Sequence, residues 1–138
     1  MEPVIDHINR YVSSVEEHVS FYTRALGYEL IDRGKKGDGK EYAILRGYEH
    51  ELFISEAPGS MEPDRSLRHI GYAVENADKL LERLKGEGLA PLEREVIVKP
   101  YSRQFYLRDP DGNEIDLIQW TDKERFHEEA RKKGGDPR

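Results

Sequence analysis

The order of predicted strands and helices occurs twice along the chain, and this internal repeat constrains the fold more than any other feature of the sequence. His7 and His69 lie 62 positions apart, and so do the similar segments Ile44–Arg46 and Tyr106–Arg108. Two half-sheets related by duplication can face each other across a pseudo-twofold axis and form one cleft. Residues at equivalent positions of the two repeats are therefore the first candidates for a functional site.

Each repeat is predicted to fold as one strand, one helix and three further strands, because hydrophobic periodicity changes between two and about 3.6 residues along it. The first repeat, residues 4–56, is predicted to contain a strand at 4–12, a helix at 14–26 between the N-cap Ser14 and Gly27, and strands at 28–33, 41–46 and 51–55. The second repeat, residues 67–120, is predicted to contain a strand at 68–74, a helix that begins after Asn76 and ends at Gly86, and strands at 91–98, 102–108 and 114–120. The predicted fold class is α+β, with two βαβββ repeats.

The length of 138 residues is typical of one domain. We predict a single domain over residues 1–121, in which a linker at 57–66 separates the repeats. That linker contains two prolines and a glycine, which disfavour regular structure. Residues 122–138 are predicted to form a C-terminal surface helix and tail.

Composition excludes several classes of function. The net charge of −6 argues against a nucleic-acid surface, which requires clustered positive charge. The chain has no cysteine, so a disulfide framework, a thiolate zinc site and a cysteine nucleophile are excluded. No apolar run approaches the roughly 20 residues of a membrane span, and no secretory leader pattern is present. We expect a cytoplasmic protein whose partner is a small molecule, not nucleic acid or a membrane.

Side-chain alternation divides each predicted strand into two faces. One face is apolar and suits packing beneath the helices. The other mixes imidazole, carboxylate and aromatic groups, a combination typical of a lined cavity. Its members are His7, Asn9, Tyr11, Glu51, Phe53, Ser55, His69, Gly71, Ala73, Glu114, Asp116 and Ile118.

Four residues of the polar face are candidate metal ligands: His7, Glu51, His69 and Asp116. Both histidines fall at the same place in their repeats, and Glu51-Leu52 matches Asp116-Leu117 as a carboxylate followed by an aliphatic residue. Imidazole and carboxylate suit Zn, Ni, Mn, Co or Fe(II). Taken singly, each histidine is equally explained as a hydrogen-bonded strand residue, and Asp116 as a solvated carboxylate.

The remaining candidates concern substrate contacts. Asn9, Tyr11, Phe53 and Phe105 are expected to line the cleft, although aromatic residues near a cleft form its wall more often than they catalyse. Arg103 shares the predicted face of Phe105 and is suited to hold an anionic group, or else it is a surface cation. Three other histidines, His18, His50 and His127, are predicted to be exposed.

Three motifs carry a resemblance to a known family: Phe21-Tyr22-x-x-x-Leu26-Gly27, the segment His69–Val74 and the segment Asp109–Leu117. The chain resembles the vicinal oxygen chelate superfamily, which includes glyoxalase I, bleomycin-resistance proteins and extradiol dioxygenases. The resemblance spans His7 to Trp120. It implies curved mixed sheets around a cleft and, since members often pair, a homodimer.

The resemblance also implies a site. His7 and His69 match the family's histidine ligands, and Asp116 takes the place of the last ligand, normally a glutamate four residues after the turn glycine. The fourth ligand position falls on Glu51 or, if the hairpin shifts by two residues, on Phe53. The implied activity is that of a divalent-metal-dependent lyase or isomerase for a substrate with vicinal oxygens, in which Glu51 or Asp116 moves the proton. A metal-free drug-binding protein and an Fe(II) extradiol-type dioxygenase are the alternatives.

Overall fold

A computed structural model describes residues 3–63 and 66–133. Residues 64–65 of the predicted linker and residues 134–138 of the predicted tail lie outside this description. The elements are β1 His7–Val12, α1 Val15–Leu26, β2 Glu29–Lys35, β3 Glu41–Gly47, β4 His50–Glu56, β5 Ile70–Ala73, α2 Ala77–Gly86, β6 Ile97–Lys99, β7 Ser102–Arg108, β8 Glu114–Trp120 and α3 Lys123–Lys132. Their order confirms the predicted α+β fold of two βαβββ repeats followed by a C-terminal helix.

Each repeat builds one four-stranded mixed sheet, and the two sheets have the same strand order. The order is β1-β4-β3-β2 in the first sheet and β5-β8-β7-β6 in the second. The first and last strands of each repeat pair in parallel, whereas the hairpin partners are antiparallel. The parallel pair places the first histidine of each repeat near the carboxylates of the last strand.

Local signals set the bounds of the two repeat helices. The Ser14 side chain accepts a hydrogen bond from the Glu17 N–H, and Asn76 accepts one from the Lys79 N–H, so both residues act as N-caps. Gly27 ends α1 with φ 73°, a left-handed conformation that a residue without Cβ adopts without strain. Each helix covers one face of its own repeat's sheet.

The prediction of a strand at 91–98 was largely wrong, because β6 comprises only Ile97–Lys99. Pro91 begins a turn in which its carbonyl oxygen accepts a hydrogen bond from the Arg94 N–H at 3.1 Å. A proline cannot donate to a strand ladder, and the turn keeps the following residues out of the sheet.

The chain forms two compact units. The first consists of Met1–Ser66 together with Arg108–Asn113, and the second of Leu67–Leu107 together with Glu114–Arg138. The β7–β8 turn thus belongs to the first unit. The core of the first unit includes Leu45 and Ile54, and that of the second includes Leu84 and Phe105, all at most 1% exposed.

The β7–β8 turn brings two carboxylates into the first unit. Asp109 accepts hydrogen bonds from the Tyr22 hydroxyl at 3.0 Å and from the Asp111 and Asn113 N–H groups, both at 2.9 Å. Asp111 accepts hydrogen bonds from the backbone and the hydroxyl of Ser13. These hydrogen bonds connect the turn to Ser13, just before α1, and to Tyr22 within α1.

His18 was predicted to be exposed, and this prediction was wrong. Its side chain is 1% exposed on α1. Nδ1 donates to the Ser14 carbonyl oxygen at 2.8 Å, and Nε2 lies 3.3 Å from the Asp111 carboxylate. The imidazole is buried because the turn supplies a carboxylate partner that is distant in sequence.

Among residues 3–63 and 66–133, no helix is long and apolar enough to cross a membrane.

We expect Gly47→Ala to destabilise the first unit by about 1 to 3 kcal/mol, the usual cost of overpacking. A Cβ at this position would lie 2.7 Å from His50 Cε1 and 2.8 Å from Tyr28 Cε1. The Tyr28 hydroxyl donates a hydrogen bond to His50 Nε2 at 2.7 Å. If either ring moved away from the new methyl group, this hydrogen bond would be weakened or lost. Urea denaturation measures the effect.

Gly71→Ala is the matched control, because a Cβ on this β5 residue meets nothing within 4 Å. Equal stability of the two variants would contradict the proposed clash at Gly47.

Candidate active site in the second sheet

A cavity of about 850 Å³ lies within the second unit, between one face of its sheet and α3. Polar groups from the segment before β5, from β7 and from β8 lie at its floor, and aromatic rings form much of its wall. The lining residues used below are Arg68, His69, Lys99, Tyr101, Gln104, Tyr106, Asp116, Trp120, Phe126, Glu129 and Lys133. The volume suits a small organic molecule.

His69 lies between two carboxylates of β8. Its Nδ1 is 3.4 Å from Glu114 Oε1, and its Nε2 is 3.8 Å from Asp116 Oδ2. Nδ1 is buried and has no aligned hydrogen-bond partner in the described structure. Because the two ring nitrogens point in different directions, one of them is available to Asp116 while the other faces Glu114.

Gln104 of β7 fixes the Asp116 carboxylate. Its Nε2 amide donates to Asp116 Oδ1 at 3.0 Å and to Oδ2 at 3.1 Å, while the Ser102 hydroxyl donates to its Oε1 at 3.3 Å. Asp116 itself is 7% exposed. The sheet therefore holds a largely buried carboxylate in one orientation at the cavity floor.

Burial raises the pKa of Asp116 above its ordinary value. The hydrogen bonds from Gln104 and the positive charges of His69 and Lys99 oppose this effect, and the charge of Glu114 adds to it. Burial also raises the pKa of Tyr106, and the nearby charges of Asp116 and Glu114 act in the same direction. The cavity thus combines a carboxyl group that holds its proton more strongly than usual with a phenol that stays neutral.

The corresponding face of the first sheet is built differently. His7 stacks on Phe53 with ring centroids 4.5 Å apart, and its Nδ1 lies 2.8 Å from Asp6 Oδ2. Glu51 is 3.8 Å from Arg46. The exposure of alternate residues on β1 agrees with the predicted face of His7, Asn9 and Tyr11.

Strand register decides which residue of the first repeat corresponds to Asp116. In the second sheet Asp116 pairs with Gly71, two residues after His69. In the first sheet Phe53 pairs with Asn9, two residues after His7, whereas Glu51 pairs with His7 itself. Phe53 is therefore the equivalent of Asp116, and the carboxylate-aliphatic matching of Glu51 with Asp116 was wrong. Glu51 corresponds to Glu114 instead.

The face assigned to β7 from the sequence was also wrong. Phe105 is 0% exposed in the core of the second unit. Arg103 makes a bidentate ion pair with Asp78 at 2.8 and 3.0 Å and lines a separate, smaller depression. The cavity receives Gln104 and Tyr106, which sequence reasoning missed. The apolar pair Phe105 and Leu107 at a spacing of two was the signal for the correct face.

The His69 and Asp116 donors fit a divalent ion as two of its ligands. At metal–ligand distances of about 2.1 Å, two donors on one tetrahedral ion lie roughly 3.4 Å apart, close to the 3.8 Å observed here. Within residues 67–107 and 114–133 of the second unit, no three His, Asp or Glu side chains form a group suited to one ion. His7 stays the sequence-based prediction for a further ligand.

Comparison with known proteins agrees with the fold and the motifs. The Glyoxalase/Bleomycin resistance protein/Dioxygenase superfamily profile matches residues 4–117, so the chain belongs to this superfamily. Lactoylglutathione lyase of Salmonella typhimurium is 27% identical over 127 residues, covering 86% of this chain and 94% of that protein. Metallothiol transferase FosB of Lysinibacillus sphaericus is 23% identical and covers 91% of this chain and 94% of the relative.

The solved structure of the fosfomycin resistance protein FosX from Listeria monocytogenes has a TM-score of 0.71 to this chain at 20% identity. The match covers 91% of this chain and 99% of FosX. This likeness confirms the fold.

Proposed function

We propose that the chain is a metal-dependent enzyme of the glyoxalase type that acts as a lyase or isomerase on a small organic molecule with adjacent oxygens. The observation that carries the proposal is the pairing of His69 Nε2 with the buried Asp116 carboxylate, 3.8 Å apart, at the floor of an aromatic-walled cavity. Membership of a superfamily whose relatives include a lyase and a metallothiol transferase supports it.

His69 and Asp116 would hold the ion in this site. The bound ion would supply Lewis acidity toward two neighbouring substrate oxygens. Gln104 keeps the Asp116 carboxylate aimed at the cavity. The aromatic wall would contact the apolar part of a substrate.

Asp116 is the residue of the second unit that we assign to proton transfer, because its carboxylate lies at the cavity floor beside His69, within reach of a bound substrate. Glu51, the other carboxylate predicted for this role, lies in the first unit beside Arg46. Its catalytic role stays a prediction from the sequence, as do the homodimer and the cytoplasmic location.

One observation favours the metal-free binding alternative. The Gln104 amide donates to both oxygens of Asp116, an arrangement that satisfies the carboxylate without any ion. In that case the cavity would sequester a small molecule without turnover.

Metal analysis separates the two functions. Protein purified without an affinity tag and stripped with a chelator is expected to take up Zn, Ni, Mn, Co or Fe(II), the last under anaerobic conditions. Saturation at about 100 times Kd would stabilise the fold by about 2.7 kcal/mol, because the ion binds the native state. A rise in Tm with metal and its reversal by chelator are the measurements. Absence of uptake for all five ions would overturn the metal-dependent proposal in favour of the binding function.

A further inference from the structure

The cavity of the second unit carries positive charge in a chain that is acidic overall. The net charge of the whole sequence is −6. Arg68, Lys99 and Lys133 nevertheless line the cavity, against the carboxylates Asp116 and Glu129. Three different segments supply these cations: the approach to β5, the strand β6 and the end of α3. Three cations thus line one cavity of a chain whose net charge is negative.

These three cations make no side-chain interaction that stabilises the described fold. In the described ranges 3–63 and 66–133, none of the three forms an ion pair or a side-chain hydrogen bond. Other arginines do have carboxylate partners: Arg103 pairs with Asp78, and Arg83 with Glu87. Arg68, Lys99 and Lys133 therefore keep their donors for a ligand.

The electrostatic effect of two of these cations reaches the cavity floor. Burial raises the pKa of Asp116, and the charge of Lys99 opposes that rise. Burial likewise raises the pKa of Tyr106, and Arg68 opposes it. Cations at the rim of a concave site direct their field into it and attract an anion more strongly than the same charges on a convex surface.

The rest of the lining is suited to an apolar body. Tyr101, Tyr106, Trp120 and Phe126 face the cavity. Trp120 and Phe126 pack with ring centroids 5.0 Å apart, which joins β8 to α3 along the wall. Aromatic rings of this kind bind flat apolar groups through a large contact area.

We propose that this cavity selects small organic anions, in which a carboxylate, sulfonate or phosphate group is attached to an aromatic or apolar body. Arg68, Lys99 and Lys133 bind the charged group, and the aromatic wall binds the body. The inference rests on the proposed active site and adds the substrate class to it.

Two fluorescent probes of nearly the same shape test the charge preference. The anion 8-anilinonaphthalene-1-sulfonate and its neutral counterpart N-phenyl-1-naphthylamine are titrated into chelator-treated protein. We expect the anion to bind about tenfold or more tightly than the neutral probe, because hydrogen bonds to charged groups contribute more than neutral ones. Raising the ionic strength is expected to weaken binding of the anion only.

Lys99→Met and Arg68→Met are each expected to weaken binding of the anionic probe several-fold and to leave the neutral probe unchanged. Both side chains are exposed at the cavity rim, so neither substitution opens the core. Lys132→Met is the control, since Lys132 is exposed on α3 next to Lys133 but does not line the cavity. Equal affinity for the two probes, or an equal loss of both in the Lys99 and Arg68 variants, would overturn the inference.

The probe titration and the metal-uptake assay test the substrate class and the enzyme function independently. Anion selectivity without metal uptake would remove the proposed enzyme function and support an anion-binding cavity. Metal uptake without anion selectivity would support the enzyme and overturn the substrate class.

Discussion

Asp116→Asn is expected to lower the affinity for divalent metal on the order of 100-fold or more, since even partners behind the ligands are worth 10- to 100-fold. The substitution keeps the side-chain shape and leaves an oxygen to accept the Gln104 hydrogen bond, but removes the negative charge that faces the ion. His69→Ala should act similarly, and the resemblance predicts the same for His7→Ala. Isothermal titration with Zn or Mn and metal-dependent Tm shifts measure the loss.

Three variants sharpen this experiment. Asp38→Asn, at an exposed carboxylate in the β2–β3 loop, should leave metal uptake unchanged. Asp116→Glu should retain or tighten binding. Glu114→Gln should have a smaller effect than Asp116→Asn, because Glu114 faces Nδ1 of His69 and not the proposed ion. Unchanged uptake in both Asp116→Asn and His69→Ala would show that the site is misplaced.

The metal-free stability of Asp116→Asn has a defined dependence on pH. The folded-state pKa of Asp116 is raised above 3.8, so the protonated form is the one that the fold favours. The corresponding stability is present below 3.8 and is lost as the pH rises through the folded-state pKa. Denaturation of the metal-free proteins should therefore show the variant gaining on the wild type as the pH increases across that range.

Helix ends and other features that depend on residues close together in the sequence were predicted best. Ser14 and Gly27 predicted both ends of α1, since a cap and a left-handed stop act within one turn of the helix. Pro91 is also a local signal, because proline disfavours a strand, and β6 is correspondingly short. On β7, the alternating apolar pair Phe105 and Leu107 indicates the buried face, since both side chains are at most 2% exposed.

The positions that could not be read from sequence depend on partners far along the chain. Whether Glu51 or Phe53 corresponds to Asp116 is decided by the pairing of β1 with β4, and a shift of two residues preserves the alternation of faces. The burial of His18 depends on Asp111 in the β7–β8 turn. Periodicity carries no information about either contact.

Asp109→Ala is expected to destabilise the protein by about 3 to 5 kcal/mol, the usual cost of removing one partner of a buried charged pair. The Asp109 side chain is 1% exposed and accepts from the Tyr22 hydroxyl and from the Asp111 and Asn113 N–H groups. Its carboxylate also lies 4.0 Å from Arg10, whose side chain is 14% exposed. Alanine would remove the acceptor of these three hydrogen bonds and the negative charge that faces Arg10.

Asp109→Asn is the matched variant. It keeps one carbonyl oxygen for the two backbone N–H groups. It loses the negative charge and the oxygen that accepts from the Tyr22 hydroxyl, so we expect roughly half the destabilisation of the alanine variant. Urea denaturation with a common m value measures both. An alanine variant within 1 kcal/mol of the wild type would contradict the role assigned to this carboxylate.

The membership of residues 108–113 in the first unit has a consequence during synthesis. When the ribosome has released Ser66, Arg10, His18 and Tyr22 are present but the carboxylates that face them are not. The chain must still gain β5, α2, β6 and β7 before Asp109 and Asp111 emerge. Because domains of a growing chain fold as their residues become available, the first unit cannot be completed when its N-terminal segment has been made. It needs the 45 further residues from Ser66 to Asp111, about a third of the 138-residue chain.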